Sequence, residues 1–310
     1  MIKEKTPFFL TVDTEGDNSW DRPQNIVSTN VEKLHRFQEL CNKYDIKPIY
    51  LTNFEAADNK LFQRFVNENS DRLEIGLHLH AWNSPPDFNL TGDDYYYQPY
   101  LHEYPDEIIK SKIEYLVKKL QDTFGTEVIS HRGGRYSLSE MIFETLAKNG
   151  IRVDCSVVPG FNWETSQGDP SGKGGPDFSK YENHIFEIFP GITEIPVSTL
   201  IPKSIFSGKK DTFLPKRIYS KVFNKHKMVL RSKLDNFNEL KKVTDWHIKQ
   251  NNHLEYIIHS SELVTGTSRL INNQNEEDIF YSNLEVFFVY LQNNNVKSQT
   301  FKEFILSTQH

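Results

Sequence analysis

Short apolar runs alternate with amphipathic stretches along most of the 310 residues. The clearest run is Leu73 to His80, where Leu73, Ile75, Leu77 and Leu79 alternate with Glu74, Gly76, His78 and His80. A period of two is that of a strand, so His78 and His80 share one face. Trp82 and the Pro85–Pro86 pair close this run and open a loop. Phe8–Val12 is a second β-prone run, and it delivers Asp13 and Glu15, again two apart, at its carboxyl end. Further strands are expected at Lys47–Thr52, Glu127–Ser130, Arg152–Val158, Thr193–Leu200, Leu254–Ile258 and about 297–301.

Helical spacing fills the intervals. Val31, Leu34, Phe37, Leu40, Cys41 and Tyr44 follow a Thr29-x-x-Glu32 capping-box pattern. Helices are also predicted around 59–69, 106–124, 139–149, 236–250 and 276–293. Regular alternation of strand, loop and helix implies a parallel sheet or barrel, and seven or eight strand candidates favour a barrel. The expected fold is α/β, a distorted (β/α) barrel of about seven strands in one domain spanning 1–310. Loop-like residues at about 160–180 and a basic segment at about 203–233 read as insertions. Residues 81–104 form a long loop rich in Pro, Asp and Tyr, a length that usually signals function.

Composition narrows the function classes. Thirty-six basic against 42 acidic residues give a net charge of −6, which argues against general nucleic-acid binding. Cys41 and Cys155 are the only cysteines, too few for a disulfide framework, and a reducing compartment fits. The apolar run near the amino terminus is too short for a signal peptide, and no window approaches eighteen apolar residues. A cytoplasmic protein is expected.

Acids, histidines and an arginine gather at strand carboxyl ends, where barrels build their sites: Asp13, Glu15, His78, His80, Arg132, Asp154 and His259. Here the sequence resembles the polysaccharide deacetylase family. Thr11-Val12-Asp13-Thr14-Glu15 matches its first motif, His78 its metal histidine, and Arg132-Gly133-Gly134-Arg135-Tyr136 its arginine motif. Asp154-Cys155-Ser156 matches its Asp-x-Ser motif and Ile257-Ile258-His259-Ser260 its late histidine. The resemblance implies a divalent metal, usually zinc, with Glu15, His78 and His80 as ligands. It implies Asp13 as general base, Arg132 holding Asp13 ionised, and His259 as general acid with Asp154 setting its tautomer. Trp82, Tyr136 and Trp163 are the aromatic candidates for contacting the sugar. Two departures stand out: Thr14 follows Asp13 where many relatives have a second aspartate, moving the ligand to Glu15. Trp82 stands where relatives place the second histidine, leaving His80 as the substitute. His102, His131 and His184 read as ordinary surface or loop histidines.

The function implied is metal-dependent removal of an N-acetyl group from a sugar of a cell-surface polysaccharide or glycolipid precursor. Hydrolysis of another small amide or a cyclic imide on the same fold is the first alternative. A carbohydrate-binding protein with a degraded metal site is the second. The basic segment falls outside the resemblance: ten Lys or Arg and one acid, Asp211, lie between Lys203 and Lys233. From Pro215 onward, Ile218, Val222, His226 and Val229 recur at helical spacing, with Tyr219, Phe223 and Leu230 widening the apolar face. Lys216, Arg217, Lys221, Lys225, Lys227 and Arg231 fill the rest, a basic amphipathic pattern suited either to an anionic membrane surface through 215–233 or to a helix packed on the barrel.

Overall fold

A computed structural model describes residues 5–19, 25–165, 174–201 and 227–308. Eleven strands are found among them: β1 (Thr6–Thr14), β2 (Pro48–Thr52), β3 (Glu74–Leu79), β4 (Ser130–Gly133), β5 (Val153–Asp154), β6 (Phe186–Phe189), β7 (Ile192–Glu194), β8 (Thr199–Leu200), β9 (Met228–Val229), β10 (Leu254–His259) and β11 (Val296–Ser298). The main sheet runs β10-β1-β2-β3-β4-β5-β7-β6, with β11 added beside β1. All its pairs are parallel except β6–β7. It curls into a half-barrel of eight strands along its path, so the expected distorted barrel is found. The side between β7 and β10 is bridged by single bonds, Ser198 N–H to Glu255 O and Ile257 N–H to Leu230 O.

Strand alternation sorts the residues into two layers. Phe8, Leu10, Val12, Tyr50, Ile75, Leu77, Leu79, Tyr256 and Ile258 pack into the large cluster shared with the helices. Phe9, Ile49, Leu51, Val153, Cys155 and Ile195 point the other way, into the barrel, where Phe301 and Ile305 close its base. Asp13, His78, Arg132 and His259 share the parity of that inner set, which is why they converge. The helix Asp106–Phe124 shows the outer layer's logic: Ile109, Ile113, Leu116, Val117 and Leu120 are buried along one stripe. Acids occupy its first turn, and Gly125 ends it at φ 62°.

Several expected boundaries move for identifiable reasons. The Arg152–Val158 strand shrinks to Val153–Asp154 because carboxylates intercept the next amides: Asp154 Oδ1 accepts from Ser156 N and Glu194 Oε1 from Val157 N, each at 2.9 Å. Thr193–Leu200 splits into β7 and β8 around Pro196, which has no N–H to donate. Arg132, expected beyond its strand, lies inside β4, which starts at Ser130 rather than Glu127. The capping box is not formed: the Thr29 hydroxyl donates to Asp17, and Glu32 accepts from Asn59. A terminal helix, Phe301–Thr308, was not expected from the sequence.

Residues 161–163 and 175–178, in the expected loop insertion, pair back on each other through Trp163 N to Pro176 O, Gly175 N to Trp163 O and Phe178 N to Phe161 O. Most of the basic segment, residues 202–226, lies outside the described residues. Its last part corrects the helical expectation: Met228–Val229 is a strand paired antiparallel with β8, and Leu230 is fully buried. No helix among the described residues is long and apolar enough to cross a membrane.

Candidate active site

At the carboxyl ends of β1, β3, β4 and β10 a cavity of about 210 Å³ is walled by Asp13, Glu15, His78, His80, Arg135, Tyr136, Trp163, Arg231 and His259. The register explains the assembly: Asp13 sits beside His259 on neighbouring strands, and His78 beside Arg132. Of the residues expected at the site, Trp82 lies in an adjoining pocket and Asp154 lies elsewhere.

Glu15, His78 and His80 converge, their potential ligand atoms all within 4.8 Å of one another. Glu15 Oε2 is 2.7 Å from His80 Nε2 and 3.6 Å from His78 Nε2, and the two Nε2 atoms are 3.1 Å apart. His78 Nδ1 lies 2.9 Å from the Arg132 carbonyl, which can only accept, so Nδ1 carries a proton and Nε2 is the atom turned toward the cluster. That is how a protein orients a ligating imidazole. Glu15 Oε1 is buried with no hydrogen-bond partner, an acceptor that a cation would satisfy. Burial pushes His80 down to about 4, keeping its ring neutral at pH 7. Burial alone would raise Glu15, yet hydrogen bonds from His78 and His80 hold its carboxyl well below the usual range. Two imidazoles and one carboxylate suit a divalent ion, so the residues present fit one.

Beside this cluster Arg132 is fully buried. Its Nη1 donates to Asp13 Oδ1 at 2.6 Å, Nη2 to Thr11 Oγ1 at 2.9 Å and to Glu255, and Nε to the Cys155 carbonyl at 2.9 Å. Burial would raise the Asp13 carboxyl, but the Arg132 guanidinium, with His78 and His259, holds it below its ordinary value. Asp13 Oδ2 is 3.8 Å from His259 Nε2, so the two face each other across the cavity. Glycines make the wall possible. A Cβ on Gly134 would meet the Leu79 carbonyl and, at 2.6 Å, His80 Nδ1. The next two residues, Arg135 and Tyr136, both hold positive φ, 53° and 60°, a conformation bulky side chains seldom adopt. Tyr136 stacks on Trp163 at 5.1 Å, forming one aromatic side of the cavity.

Asp154 is not the partner of His259. Its neighbours Val153 and Cys155 point into the barrel, so strand alternation turns Asp154 outward. There Oδ2 bonds His131 Nδ1 at 2.6 Å and Ser156 Oγ at 3.0 Å, beside Glu194, whose carboxyl burial and Asp154 together push well above the usual range. His131 is accordingly fully buried rather than a surface histidine. His259 Nδ1 instead meets Glu262 Oε2 at 3.2 Å and Arg231 Nη2 at 2.9 Å, and Arg231 Nη2 bonds Glu262 Oε1 at 2.5 Å. Arg231, assigned from sequence to a basic helical face, thus lines the cavity.

Glu255 and Glu262 escaped sequence reading although each left a signal. Glu255 shares strand parity with His259, and Glu262 sits three residues after it, at the place where a capping side chain returns to the first backbone N–H, which it does at 3.1 Å. Arg231 left none, since it arrives from a distant segment.

Neither a family model nor a curated protein sequence matches the chain. Solved structures do match in fold. One from Mycobacterium smegmatis, provisionally assigned as a polysaccharide deacetylase, shares 9% identity, covers 97% of this chain and 95% of its own, and gives a TM-score of 0.52. The chain has a polysaccharide-deacetylase fold. That fold is not confined to deacetylases. A GH57-type branching enzyme from Pyrococcus horikoshii matches at 10% identity over 98% of this chain and 70% of its own, with a TM-score of 0.52. A 4-alpha-glucanotransferase from Thermococcus litoralis matches at 12% identity and TM-score 0.53 over 97% of this chain but 38% of its own. Since the deacetylase fold serves more than one activity, function has to be argued from the site.

Proposed function

We propose that this protein is a metal-dependent deacetylase that hydrolyses an N-acetyl group on a sugar of a polysaccharide or glycolipid precursor, releasing acetate. The carrying observation is the buried Glu15–His78–His80 cluster opening into the same cavity as the Arg132-held Asp13 and His259. A divalent ion held by those three residues would supply Lewis-acid polarisation of the scissile carbonyl and a more acidic water.

The chain's own groups do the rest. Asp13, kept ionised by Arg132, takes a proton from the attacking water at its Oδ2, the oxygen not bound by the guanidinium. His259 Nε2, on the opposite side, gives a proton to the departing amine, while its Nδ1 edge is held beside the Arg231 guanidinium and the Glu262 carboxylate. Tyr136 and Trp163 offer their ring faces to the sugar's C–H bonds. The test is paired: metal analysis of purified protein, and acetate release from a panel of N-acetylated sugars and lipid-linked sugars. One tightly held zinc with acetate release supports the proposal. Metal without acetate release, but with hydrolysis of another amide or imide, moves the bond cleaved. Sugar binding without metal under any loading condition leaves a carbohydrate-binding protein.

A further inference from the structure

Arg231 walls the reaction cavity without belonging to any motif of the resemblance, and its place there is fixed by the backbone around it. Leu230, the residue before it, is fully buried, donates its N–H to the Ser198 carbonyl at 2.8 Å and accepts from the Ile257 N–H at 3.1 Å. The Arg231 N–H donates to the Val229 carbonyl at 2.8 Å, and the Arg231 carbonyl accepts from Asn236 Nδ2 at 2.9 Å. A long, flexible side chain thus starts from a pinned backbone at the edge of the cavity.

Only one of the three guanidinium nitrogens is engaged. Nη2 carries two N–H bonds, which go to Glu262 Oε1 at 2.5 Å and to His259 Nδ1 at 2.9 Å. Nε and Nη1, which carry the remaining donors, have no hydrogen-bond partner among the described residues. Pairing with Glu262 takes a single nitrogen, which a lysine would supply, whereas the planar fork of an arginine presents a second edge as well. The side chain is partly exposed, so a solute in the cavity can reach that edge. A second guanidinium, Arg135, lines the same cavity at a positive φ of 53°. In a chain of net charge −6, two arginines beside a divalent-ion site are more than a neutral acetamido sugar calls for. A carboxylate or phosphate makes use of them, since charge-assisted hydrogen bonds are roughly twice as strong as neutral ones. The cavity, about 210 Å³, is smaller than the roughly 300–1,000 Å³ that encloses a drug-sized ligand, so it suits one ring carrying both the acetamide and the anionic group.

We infer that Arg231 is a specificity-determining residue whose Nε–Nη1 edge binds a carboxylate or phosphate on the ring that carries the N-acetyl group, so that the protein takes acidic amino sugars in preference to neutral ones. This rests on the deacetylase reading, in which His259 faces the departing amine and Arg231 beside it lies on the sugar's side of the scissile bond. Its test does not require hydrolysis. Calorimetric binding of N-acetylglucosamine would be compared with that of its uronic acid, its 1-phosphate and its 6-phosphate. The protein is the zinc-loaded full-length chain carrying Asp13→Asn, which prevents consumption of the sugar. At least one acidic sugar is expected to bind about tenfold more tightly than the neutral one, and which of them does so separates carboxylate from phosphate. Adding Arg231→Gln should bring that ratio to about one, while Arg231→Lys, which keeps a charge beside Glu262 but not the fork, should leave it in between. Comparing two sugars on one protein cancels general damage to the site, and if Arg231→Gln fails to fold, a fall of the ratio in Arg231→Lys decides. A ratio near one for all three acids overturns the inference, as does binding of no sugar. A ratio unchanged in Arg231→Gln overturns it too, because the ion alone would then be attracting the acid. Absence of acetate release by wild-type protein from any of these sugars, with the ratio and its dependence on Arg231 intact, would remove the deacetylase reading and leave the anion site standing.

Discussion

Replacing Glu262 by Gln removes one buried charge while keeping the side chain's shape and an acceptor oxygen. Burial would raise the Glu262 carboxyl, but Arg231 first and His259 after it bring it from an ordinary 4.5 down to about 2. A depressed carboxylate stabilises the fold fully above its unfolded value and loses that contribution as pH falls toward the folded one. A drop of this size corresponds to about 3 kcal/mol at neutral pH. The Arg231 side chain is 32% exposed, so water shares its charge and a measured loss of about 1–3 kcal/mol is expected. Urea unfolding of wild type and Glu262→Gln should show that gap at pH 7 and a narrowing of about 1–2 kcal/mol by about pH 3. Activity tests the second role. Glu262 accepts from the His259 backbone N–H and from Arg231, so its loss should loosen the placement of the His259 ring and cost roughly tenfold in turnover near pH 7. Asp154→Asn should spare that turnover, since Asp154 bonds His131 and Ser156 instead. A stability gap independent of pH, together with unchanged turnover in Glu262→Gln, would refute the reasoning.

Four further outcomes are expected. His78→Ala should release the ion, leaving less than about one tenth of an equivalent by metal analysis; full retention would remove His78 from the ligand set. Asp13→Asn should lower acetate release by about two to four orders of magnitude with metal content unchanged, because a base is lost and a ligand is not. Gly134→Ala forces a Cβ against the Leu79 carbonyl and His80 Nδ1, so it should weaken zinc affinity about 10- to 100-fold by competition with a chelating dye, whereas Gly125→Ala, with no atom nearby, should not change that affinity. For the basic segment, cosedimentation should show binding to vesicles containing anionic lipid that weakens with salt and is lost in Ile218→Asp with Val222→Asp; equal binding to neutral vesicles would end the membrane proposal.

The alternating pattern made much of this architecture legible. The two-residue period of 73–80 placed His78 and His80 on one face, and they converge there, His78 within β3 and His80 just past its end. Helix 106–124 was readable from its apolar stripe and terminal glycine, both of which the structure uses. Boundaries were lost where side chains, invisible to a periodicity argument, took over backbone partners. Asp154 and Glu194 end β5 early by accepting the amides of Ser156 and Val157, and Asp17 rather than Glu32 takes the Thr29 backbone N–H.

Asp154 shows why matching motifs in order places residues in sequence more firmly than in space. Its motif lies in the expected position, but parity decides which layer a strand residue enters, and Val153 and Cys155 occupy the inward positions on either side. The same rule excludes Asp154 once the β4–β5 register is known: Arg132 reaches Asp13 inside the barrel, so its neighbour His131 faces outward, and Asp154 pairs with His131. The position facing His259 Nδ1 is then left to whatever the local chain supplies. The Ser260–Leu263 turn supplies Glu262, tied to the His259 backbone N–H as well as to its ring, so the acid and its carboxylate move as one unit on one turn. Arg231 enters through the β8–β9 pairing and is the only member of the group brought by long-range structure. Of the three groups at this corner of the cavity, two were therefore encoded within four residues of each other, and the third depended on a pairing that no local pattern announces.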